Sequence, residues 1–506
     1  MLVITGARVW RDPGLFEERS IWIRDGRVVE LTPSSAGPTG GRDGLRVVSW
    51  PGRFILPGFV DAHTHLMAIA HKELRCDLSG ALAAADVVDR LSAWASAHPG
   101  EPVVGVDFDD ADWEDDALPT RVVLNAVSAT QPVYARRVCG HAGVANDALL
   151  SRLSGDARFL NAETGRIVED AVFEANRLTR PPAEGVMAAV GDANGRLHAL
   201  GITAIHDIVD PDSIDVYAKG LCASRRALGI SAFLHVGARD YDAAAARLEE
   251  RSDGRARPLG IKIFSDGSLG ARTAALHQRY HDADTTGELL VTRESLRHEF
   301  AACAGKGIGC AVHAIGDRAL STVLDAVDDT GGEPARFRIE HAEVIGEHDL
   351  ERCARLRVPL VMQPNFVRNW GGGGGMYAAR LGPARWARQN PYATLLRAGV
   401  PFVFSSDAMP PGPLYGIKGA THHPVESERI GAAQAIRRYT GAVSPWPGPA
   451  GGVLAPGAPA DLVVLSGNPI LADLDTVRVE STFVGGLEAY RGITGPGPMN
   501  HSKRRR

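Results

Sequence analysis

Short apolar runs recur through the middle of the chain, and stretches rich in alanine, leucine and arginine separate them. Such an alternation of short strands and helices favours a parallel sheet or a barrel. A barrel of roughly 250 residues uses roughly 31 residues per strand–helix unit, and most of the spacings fit. We therefore predict an α/β fold built on a (β/α)8 TIM-type barrel. The predicted strands are Phe59–Ala62, Ala204–His206, Ala232–Val236, Gly260–Phe264, Gly309–Val312, Phe337–Ile339, Leu360–Met362 and Phe402–Phe404.

The interval between the first two predicted strands is much longer than one unit. It separates His65 from His206 by 141 positions. This interval is roughly a hundred residues longer than one strand–helix unit. We predict that this excess forms an insertion domain over residues 76–185. The barrel itself is then expected over residues 57–75 and 186–442.

Strand-like runs without intervening helices lie at both ends of the chain. Leu2–Ile4 is the first of them, a turn signal at Asp25-Gly26 separates two others, and Ser481–Val484 repeats the pattern near the C-terminus. We predict that both ends together form one β-sandwich domain. Its expected boundaries are residues 1–56 and 443–492, and the basic stretch 493–506 is expected to be a disordered tail.

Five consecutive glycines, Gly371–Gly375, follow the seventh predicted strand. Such a run holds regular structure only at a high entropic cost, so we expect a loop at the rim of the barrel. A mobile lid and a plain loop both fit the sequence.

The composition is that of an ordinary globular protein with a sizeable core. Hydrophobic residues make up 44% and charged residues 23% of the chain, and the net charge is −5. This balance argues against nucleic acid or a membrane as a partner, and no apolar run is long enough to span a bilayer. The six cysteines lack a Cys-x-x-Cys pair, and the N-terminus lacks the pattern of a signal peptide. We therefore expect a soluble cytoplasmic protein with a small-molecule substrate. The sequence leaves open whether the protein forms a homodimer.

Histidines close the first predicted strand at His63 and His65. In an extended strand, side chains at positions i and i+2 project from the same face, so both imidazoles can reach one point. The apolar run before them is typical of a buried strand. The pair alone is weak evidence for a metal site, because histidine is also an ordinary polar lining residue.

Four further side chains of suitable chemistry lie within or directly after other predicted strands: Lys262, His313, His341 and Asp407. The C-terminal ends of barrel strands meet at one face, where active sites lie, so all six residues can converge. Each has a simpler explanation: the histidines can line the rim, Asp407 can cap a helix, and Lys262 can pair with Asp266. An inward lysine is harder to dismiss, since a buried unpaired ammonium is costly. It must find a carboxylate, lose its proton or be chemically modified.

The joint pattern of these six residues predicts a metal site. Neutral imidazoles and a carboxylate suit zinc or another borderline divalent ion. Six ligands are too many for one tetrahedral zinc with an open position. Two ions sharing a bridge fit better, provided that Lys262 has reacted with carbon dioxide to give a carbamate. The predicted cofactor is therefore a divalent metal, one or two zinc ions, with N6-carboxylation of Lys262 as the condition for the bridge.

Several longer motifs are distributed along the whole chain: Pro57–His65, Gly201–Asp207, Ile261–Thr273, Val312–Ala319, Arg338–Ala342, Met362–Pro364, Ser406-Asp407 and Gly457–Leu462. With these motifs the chain resembles the amidohydrolase superfamily. Within it, the chain is similar to the branch that contains N-substituted formamide deformylases, amidohydrolase family 3. The Asp-Gly-Ser-Leu-Gly and His-Ala-Ile-Gly-Asp segments are specific to this branch.

The resemblance implies roles for the six residues already selected. In such enzymes the first-strand histidines, the fourth-strand lysine (often carboxylated), the fifth- and sixth-strand histidines and the eighth-strand aspartate bind or serve the metals. The resemblance also implies a β-sandwich from the two termini and a large insertion after the first strand. Relatives commonly have histidine shortly after Met-Gln-Pro, where this chain has Asn365-Phe366. This departure concerns substrate specificity rather than the metal centre.

The hypothesis that follows is metal-assisted hydrolysis of an amide or N-formyl C–N bond outside peptides. A divalent metal lowers the pKa of its bound water toward roughly 7 and polarises the carbonyl. Asp407 is expected to take the water proton and deliver it to the departing nitrogen. His341, or a neighbour on the sixth strand, is expected to help hold the tetrahedral oxyanion.

Residues that follow ligand-bearing strands are the candidate substrate contacts: Asp266, Arg272 and Arg318. Both arginines can equally brace loops through salt bridges. Trp113 and His141 lie in the predicted insertion, where ordinary packing is the better interpretation for both.

Three alternative functions stay open. A deaminase on the same barrel usually uses one metal and a glutamate soon after the fifth-strand histidine, whereas His313 is followed by Ala-Ile-Gly-Asp317. A lactonase or other ester hydrolase would use the same attack on a carbonyl carbon. A non-catalytic scaffold that has lost its metal is the alternative of another class, and the presence of all six ligand-type residues argues against it.

Overall fold

Eight parallel strands in the middle of the computed structural model follow one another in a single sheet, in sequence order. The structure describes residues 1–11, 14–33, 45–113, 118–224, 228–330, 337–441 and 452–492. The first to the eighth barrel strand are Phe59–Thr64, Ile202–Val209, Gly229–Leu234, Ala256–Phe264, Gly309–Ala314, Phe337–His341, Leu360–Met362 and Phe402–Phe404. The eight strands expected from the apolar runs are confirmed, and the α/β fold has a nearly closed parallel barrel sheet at its centre.

The two ends of this sheet are joined through the segment that follows the eighth barrel strand. The backbone N–H of Asp407 donates to the carbonyl oxygen of His63 at 2.9 Å. The backbone N–H of Ser406 donates to Asp61 Oδ1, also at 2.9 Å. These bonds place residues after the eighth strand directly beside the end of the first strand.

Helices cover the outside of the barrel sheet, and further helices lie in the insertion between the first and second barrel strands. None of the described helices combines the length and the apolar character needed to cross a membrane. The helix Met376–Trp386 is interrupted at Gly382, which has a φ of 72° and precedes Pro383. The described helices are Leu66–Lys72, Ala84–Ala97, Arg121–Val127, Asp147–Leu150, Asp170–Leu178, Ala183–Ala199, Ile214–Ala223, Tyr241–Arg251, Arg293–Lys306, Asp317–Thr330, Glu347–Leu356, Pro364–Trp370, Met376–Trp386, Tyr392–Arg397, Pro413–Thr421 and Ala432–Tyr439.

The alternation of side chains along the barrel strands separates the helix-facing core from the barrel interior. Ile261 belongs to the large apolar core that the barrel shares with its helices. The next residue, Lys262, is also buried but contacts His63 inside the barrel. Apolar side chains fill the rest of the interior in small layers, such as the one formed by Ala62, Val361 and Val403.

Strands from both ends of the chain pair in one mixed sheet. Along this sheet the order is Leu487–Arg491, Val479–Val484, Leu462–Leu465, Phe54–Pro57, Leu2–Arg11, Leu15–Arg24 and Arg27–Pro33, and Arg46–Ser49 pairs with Leu2–Arg11. Its core contains residues from both ends, among them Ile4, Ile55 and Leu462. The sandwich form of this part of the chain stays a prediction.

A further sheet lies between the first and second barrel strands. Its order is Arg166–Val168, Ala142–Ala145, Val133–Arg137, Val103–Phe108 and Cys76–Asp77. We call residues 76–185, which contain this sheet, the insertion. The domain boundaries expected from the sequence stay predictions, and the predicted tail 493–506 lies outside the described residues.

The fourth and fifth barrel strands face each other through a pair of glycines. Gly260 is paired with Gly309, and a Cβ atom added to Gly260 would lie 1.9 Å from the carbonyl oxygen of Gly309. No side chain fits there without moving the backbone, and the fourth strand carries Lys262 two residues further on. This spacing therefore depends on glycine.

We predict that Gly260→Ala lowers the free energy of unfolding by about 3 kcal/mol, because a methyl group must push two paired strands apart. Thermal unfolding followed by circular dichroism measures the effect. Gly305→Ala is the control, since it lies in the helix Arg293–Lys306 with nothing within 4 Å of the added Cβ. It should raise stability by up to about 1 kcal/mol. Equal midpoints for both variants would contradict the steric argument.

Candidate metal centre

All six residues predicted as metal ligands converge at the C-terminal end of the barrel. Asp407 Oδ1 lies 3.5 Å from His63 Nε2 and 3.1 Å from His65 Nε2. Lys262 Nζ lies 3.5 Å from His63 Nε2. The ring centroids of His313 and His341 are 4.5 Å apart, and those of His63 and His341 are 5.1 Å apart. The residues are far apart in sequence, and the barrel brings them into one cluster.

Three of these residues can hold a metal ion in their present arrangement. One ligand atom from each of His63, His341 and Asp407 lies within 4.8 Å of the other two. Burial lowers the pKa of His63 to about 4. Burial and the neighbouring His313 hold the pKa of His341 well below its ordinary value. Both imidazoles are therefore neutral near pH 7, which is the form that binds metal, and the donor set fits a divalent ion of the zinc type.

Asp407 is ionised in this cluster although it is buried inside the protein. Burial by itself would raise its pKa, but His63, the hydrogen bond with His65 and the nearby His341 hold the pKa well below its ordinary range. The residue has a φ of 51°, an uncommon conformation for a non-glycine residue. Such strain is found at functional sites where the surroundings enforce it, and here the bond from Asp407 N–H to the His63 carbonyl does so.

Lys262 lies at the bottom of the cluster with almost no exposure to solvent. Burial lowers its pKa to about 8, although the charges of Glu340 and Asp407 act in the opposite direction. Its ammonium group lies 4.7 Å from the ring centroid of Phe264. A substantial neutral fraction of the amine is thus present near neutral pH, which is the form that can react with carbon dioxide.

Glu340, which the ligand prediction missed, fixes the orientation of His63. Its carboxylate accepts a hydrogen bond from His63 Nδ1 and one from Arg338 Nε at 2.5 Å. Burial alone would raise the pKa of Glu340, but Arg338 and His63 hold it well below its ordinary value. The ionised carboxylate keeps the proton on Nδ1 of His63 and leaves Nε2 available to a metal.

Arg338 and His206 extend this network through the barrel interior. Arg338 donates to the carbonyl oxygen of Ala62 at 3.0 Å, and its Nη1 lies 2.7 Å from His206 Nδ1. A signal for these residues was present in the sequence: Arg338 and Glu340 are two apart on one strand, so both point into the barrel. On the sixth barrel strand, His341 is held by Gln363, whose Oε1 lies 2.8 Å from His341 Nδ1.

A cavity opens beside the metal ligands, lined by His313, His341 and Asp407 on one side. Most of its remaining wall is apolar or aromatic: Leu269, Ile315, Phe366, Trp370, Met376, Tyr377 and Met409. The pentaglycine joins the helices Pro364–Trp370 and Met376–Trp386, which supply four of these side chains. Trp386 Nε1 donates to the carbonyl oxygen of Gly371 at 2.8 Å. The glycine run thus connects two parts of the cavity wall.

The insertion contributes Arg137 to the same cavity. Its guanidinium is buried and forms ion pairs with Asp110 and, at 3.1 Å, with Asp109. The other oxygen of Asp109 accepts a hydrogen bond from Trp370 Nε1 at 2.9 Å. One carboxylate therefore joins the insertion to the helix that precedes the pentaglycine.

His141 also lines the cavity, which differs from the packing role expected from the sequence. Its Nδ1 lies 2.8 Å from Glu169 Oε2, and its ring centroid lies 5.2 Å from that of His313. Burial would lower the pKa of His141, but Glu169 raises it to about 9. Trp113, in contrast, packs within the insertion and donates from Nε1 to the carbonyl oxygen of Ala81 at 2.9 Å.

Asp266, a candidate substrate contact, braces the backbone around the fifth-strand ligand. Its carboxylate accepts from the backbone N–H groups of Ala275 and Gly316 at 2.8 Å and of Ile315 at 3.0 Å. Oδ1 also lies 3.3 Å from His313 Nε2. These contacts are those of a residue that positions the backbone beside His313, and the substrate contact of Asp266 stays a prediction.

Arg272 and Arg318 are likewise engaged outside the cavity. Arg272 forms two hydrogen bonds with the carboxylate of Asp282, at 3.2 and 2.9 Å. Arg318 donates to the carbonyl oxygen of Gly287 at 3.1 Å. Neither belongs to the described residues that line the cavity. The contacts of both arginines agree with the loop-bracing alternative, and their substrate role stays a prediction.

Comparison with known proteins gives matches along nearly the whole chain. The model of the amidohydrolase family matches residues 46–490. The chain is 28% identical over 495 residues to the putative amidohydrolase YtcJ of Bacillus subtilis strain 168, which covers 88% of this chain and 90% of that protein. It is 24% identical over 520 residues to the N-substituted formamide deformylase of Arthrobacter pascens, and this match covers 93% of this chain and 95% of that protein.

Among solved structures, the crystal structure of an uncharacterized metal-dependent hydrolase from Pyrococcus horikoshii OT3 superposes with a TM-score of 0.74. The two sequences are 26% identical, and the match covers 94% of this chain and 99% of that chain.

We predict that Asp266→Ala lowers the free energy of unfolding by about 3 kcal/mol or more, because three buried N–H groups lose their acceptor. Thermal unfolding measures this loss. Arg272→Ala is the control, since its partly exposed ion pair is worth about 1 kcal/mol or less. An unchanged midpoint for Asp266→Ala, combined with a raised KM, would instead indicate a substrate contact.

Proposed function

This chain belongs to the amidohydrolase family, and on that premise we propose that it hydrolyses an amide or N-formyl C–N bond in a small molecule. The observation that carries the proposal is the position of the ionised Asp407. It lies within 3.5 Å of the imidazoles of His63 and His65 and lines the cavity beside them. This geometry supports a metal site and a proton carrier next to a space for substrate.

His63, His341 and Asp407 would hold a first divalent ion, with His65, His313 and Lys262 available for a second. Zn2+ suits this donor set, and when bound it supplies Lewis-acid chemistry at the substrate carbonyl. Glu340 keeps His63 in the tautomer that such an ion requires. Gln363 holds the ring of His341 in the same way.

Asp407 is the proposed proton carrier of the reaction. Its low pKa keeps it ionised and able to accept a proton from the attacking water. An amine leaves far more readily when it is protonated, so hydrolysis of an amide needs a group that passes this proton to the nitrogen. Asp407 reaches both the ligand cluster and the cavity, so it can take part in both transfers.

The charges around the cavity favour a neutral substrate with an apolar substituent. Arg137 is the guanidinium in the wall, and Asp109 and Asp110 already offset its charge. Burial raises the pKa of Glu343, another lining residue, to about 8, so its carboxyl group is largely protonated near pH 7. The protonated His141 is likewise offset by Glu169, and most of the remaining wall is aromatic or aliphatic. The name of the Arthrobacter pascens relative, N-substituted formamide deformylase, agrees with a neutral amide of this kind.

The substrate proposal is tested by a screen of N-formyl amines, N-acyl amino acids, dipeptides and lactones with zinc-loaded enzyme. We expect N-formyl or N-acyl amines with an apolar substituent to be hydrolysed fastest. Asp407→Asn should keep a metal content near that of the wild type, because histidines hold the ion, while turnover falls roughly 10²–10⁴-fold. Unchanged turnover in this variant, or hydrolysis of lactones alone, would exclude the proposed reaction.

We further propose that Lys262 is carboxylated in the active enzyme. The neutral amine attacks carbon dioxide, an N–C bond forms at Nζ and one proton is released. The product would be an anion in place of a buried cation, next to His63, and it would be a further oxygen ligand for the divalent metal.

Enzyme incubated with ¹³C-bicarbonate is therefore predicted to show a carbamate signal by NMR that Lys262→Gln lacks. The variant should bind about half the metal of the wild type, because the bridging ligand of a two-ion site is lost. Fully active enzyme with an unmodified Lys262, as seen by mass spectrometry or crystallography, would contradict the bridged centre.

A further inference from the structure

A second cluster of polar side chains lies where the insertion meets the barrel, away from the metal ligands. It consists of Arg75, Tyr134 and Arg136 in and beside the insertion sheet, His71 in the helix Leu66–Lys72, and Arg180 after the helix Asp170–Leu178. These three guanidinium groups, the imidazole and the phenol lie close enough to influence one another's pKa. We call it the arginine cluster.

The register of the insertion sheet places three of these residues on one face. Val104 is paired with Tyr134, and Cys76 and Ala135 both pair with Gly105. Arg75 precedes Cys76, so it falls in the same row as Tyr134, and Arg136 lies two residues further along the strand of Tyr134. Alternate residues of a strand share a face. Arg75, Tyr134 and Arg136 therefore project to the same side of the sheet.

Packing against the helix Asp170–Leu178 agrees with this assignment. Tyr134 and Val104 pack against Ala171 and Ala175 of that helix. Arg75 Nη2 donates to the carbonyl oxygen of Thr179, directly after the helix, at 3.2 Å. The cluster is thus enclosed between the sheet and the C-terminal end of the helix.

Several donors in the cluster are buried without a partner among the described residues. Arg75 Nη1, Arg136 Nε and the hydroxyl of Tyr134 make no hydrogen bond there. Arg75 is 6% exposed and Tyr134 is fully buried. A buried guanidinium or hydroxyl without an acceptor costs about 1–3 kcal/mol or more, so this arrangement calls for an acceptor from outside the described residues.

The charges in the cluster have the same sign. Burial and the neighbouring Arg136 lower the pKa of Arg75 to about 9. Burial, followed by Arg75, Arg136 and Arg180, lowers the pKa of His71 to about 3. Within the described residues, Arg180 alone of the three arginines has a carboxylate nearby, with Asp210 and Asp212 both at 3.7 Å. Arg75 and Arg136 repel each other without a compensating acid.

We propose that the arginine cluster binds a small tetrahedral oxyanion of the phosphate or sulfate type. Arg75 Nη1, Arg136 Nε and Tyr134 Oη would donate to it, because they come from separate positions on one face and are unpartnered. Guanidinium groups suit such oxygens better than other cations do. The bound anion would attract both Arg75 and Arg136, which otherwise repel each other. It would thereby stabilise the contact between the insertion and the barrel.

The test measures thermal unfolding of the full-length, metal-loaded enzyme at constant ionic strength. Inorganic phosphate or sulfate replaces sodium chloride step by step, and glycerol phosphate is a further probe that separates a free anion from a phosphate monoester. We expect the midpoint to rise with phosphate and sulfate concentration, as it does for a ligand that binds only the folded state. Equal midpoints in phosphate, sulfate and chloride would overturn the proposal.

Variants of the cluster separate this site from the metal centre, which can also bind phosphate. Arg75→Met and Arg136→Met should each weaken the apparent affinity for phosphate by about tenfold or more, through loss of a charge-assisted hydrogen bond. Arg136 is partly exposed, so its variant serves if Arg75→Met does not fold. Arg121→Met is the control, because Arg121 is an insertion arginine already paired with Asp147, and it should bind phosphate like the wild type. Phosphate binding that persists in both cluster variants and is lost on removal of the metal would place the anion at the metal centre and refute this site.

Discussion

The buried ion pair between Arg338 and Glu340 is the interaction on which the metal centre depends. Both residues are almost fully enclosed in the barrel, where either charge alone would be strongly destabilising. Together they hold the first barrel strand from inside, since Glu340 binds the ring of His63 and Arg338 binds the carbonyl of Ala62. Electrostatic attraction and hydrogen bonds therefore fix the position of the first strand relative to the sixth, in addition to the strand pairing within the sheet.

This arrangement explains why so many ionisable groups can share the barrel interior. Glu340 and Asp407 offset part of the charge of Lys262, and the imidazoles of His63 and His341 stay neutral through burial. A divalent ion would add positive charge where two carboxylates are already ionised. The barrel thus holds its ligands in the protonation states that a metal requires, and the cavity beside them stays mostly apolar.

Much of the fold and of the ligand cluster could be predicted because both follow from local patterns. The barrel strands are short apolar runs, and His63, His313 and His341 lie at strand ends that must meet at one face. The contributions of Arg137 and His141 could not be predicted in this way. They come from a separate sheet whose position over the barrel depends on long-range contacts, such as the one between Asp109 and Trp370. The ion pair of Arg272 could not be predicted for a related reason, because its partner Asp282 lies in a loop without a recognisable pattern.

The carboxylate of Asp109 has a consequence for how such enzymes can be altered. It is bonded at once to Arg137 in the insertion and to Trp370 beside the pentaglycine, so two distant stretches of sequence build one wall of the cavity. A chimera that exchanges only the insertion with that of a relative would separate a matched acid from its indole partner. The insertion and the helical segment 364–386 are therefore a single module for protein engineering, although 178 residues lie between them.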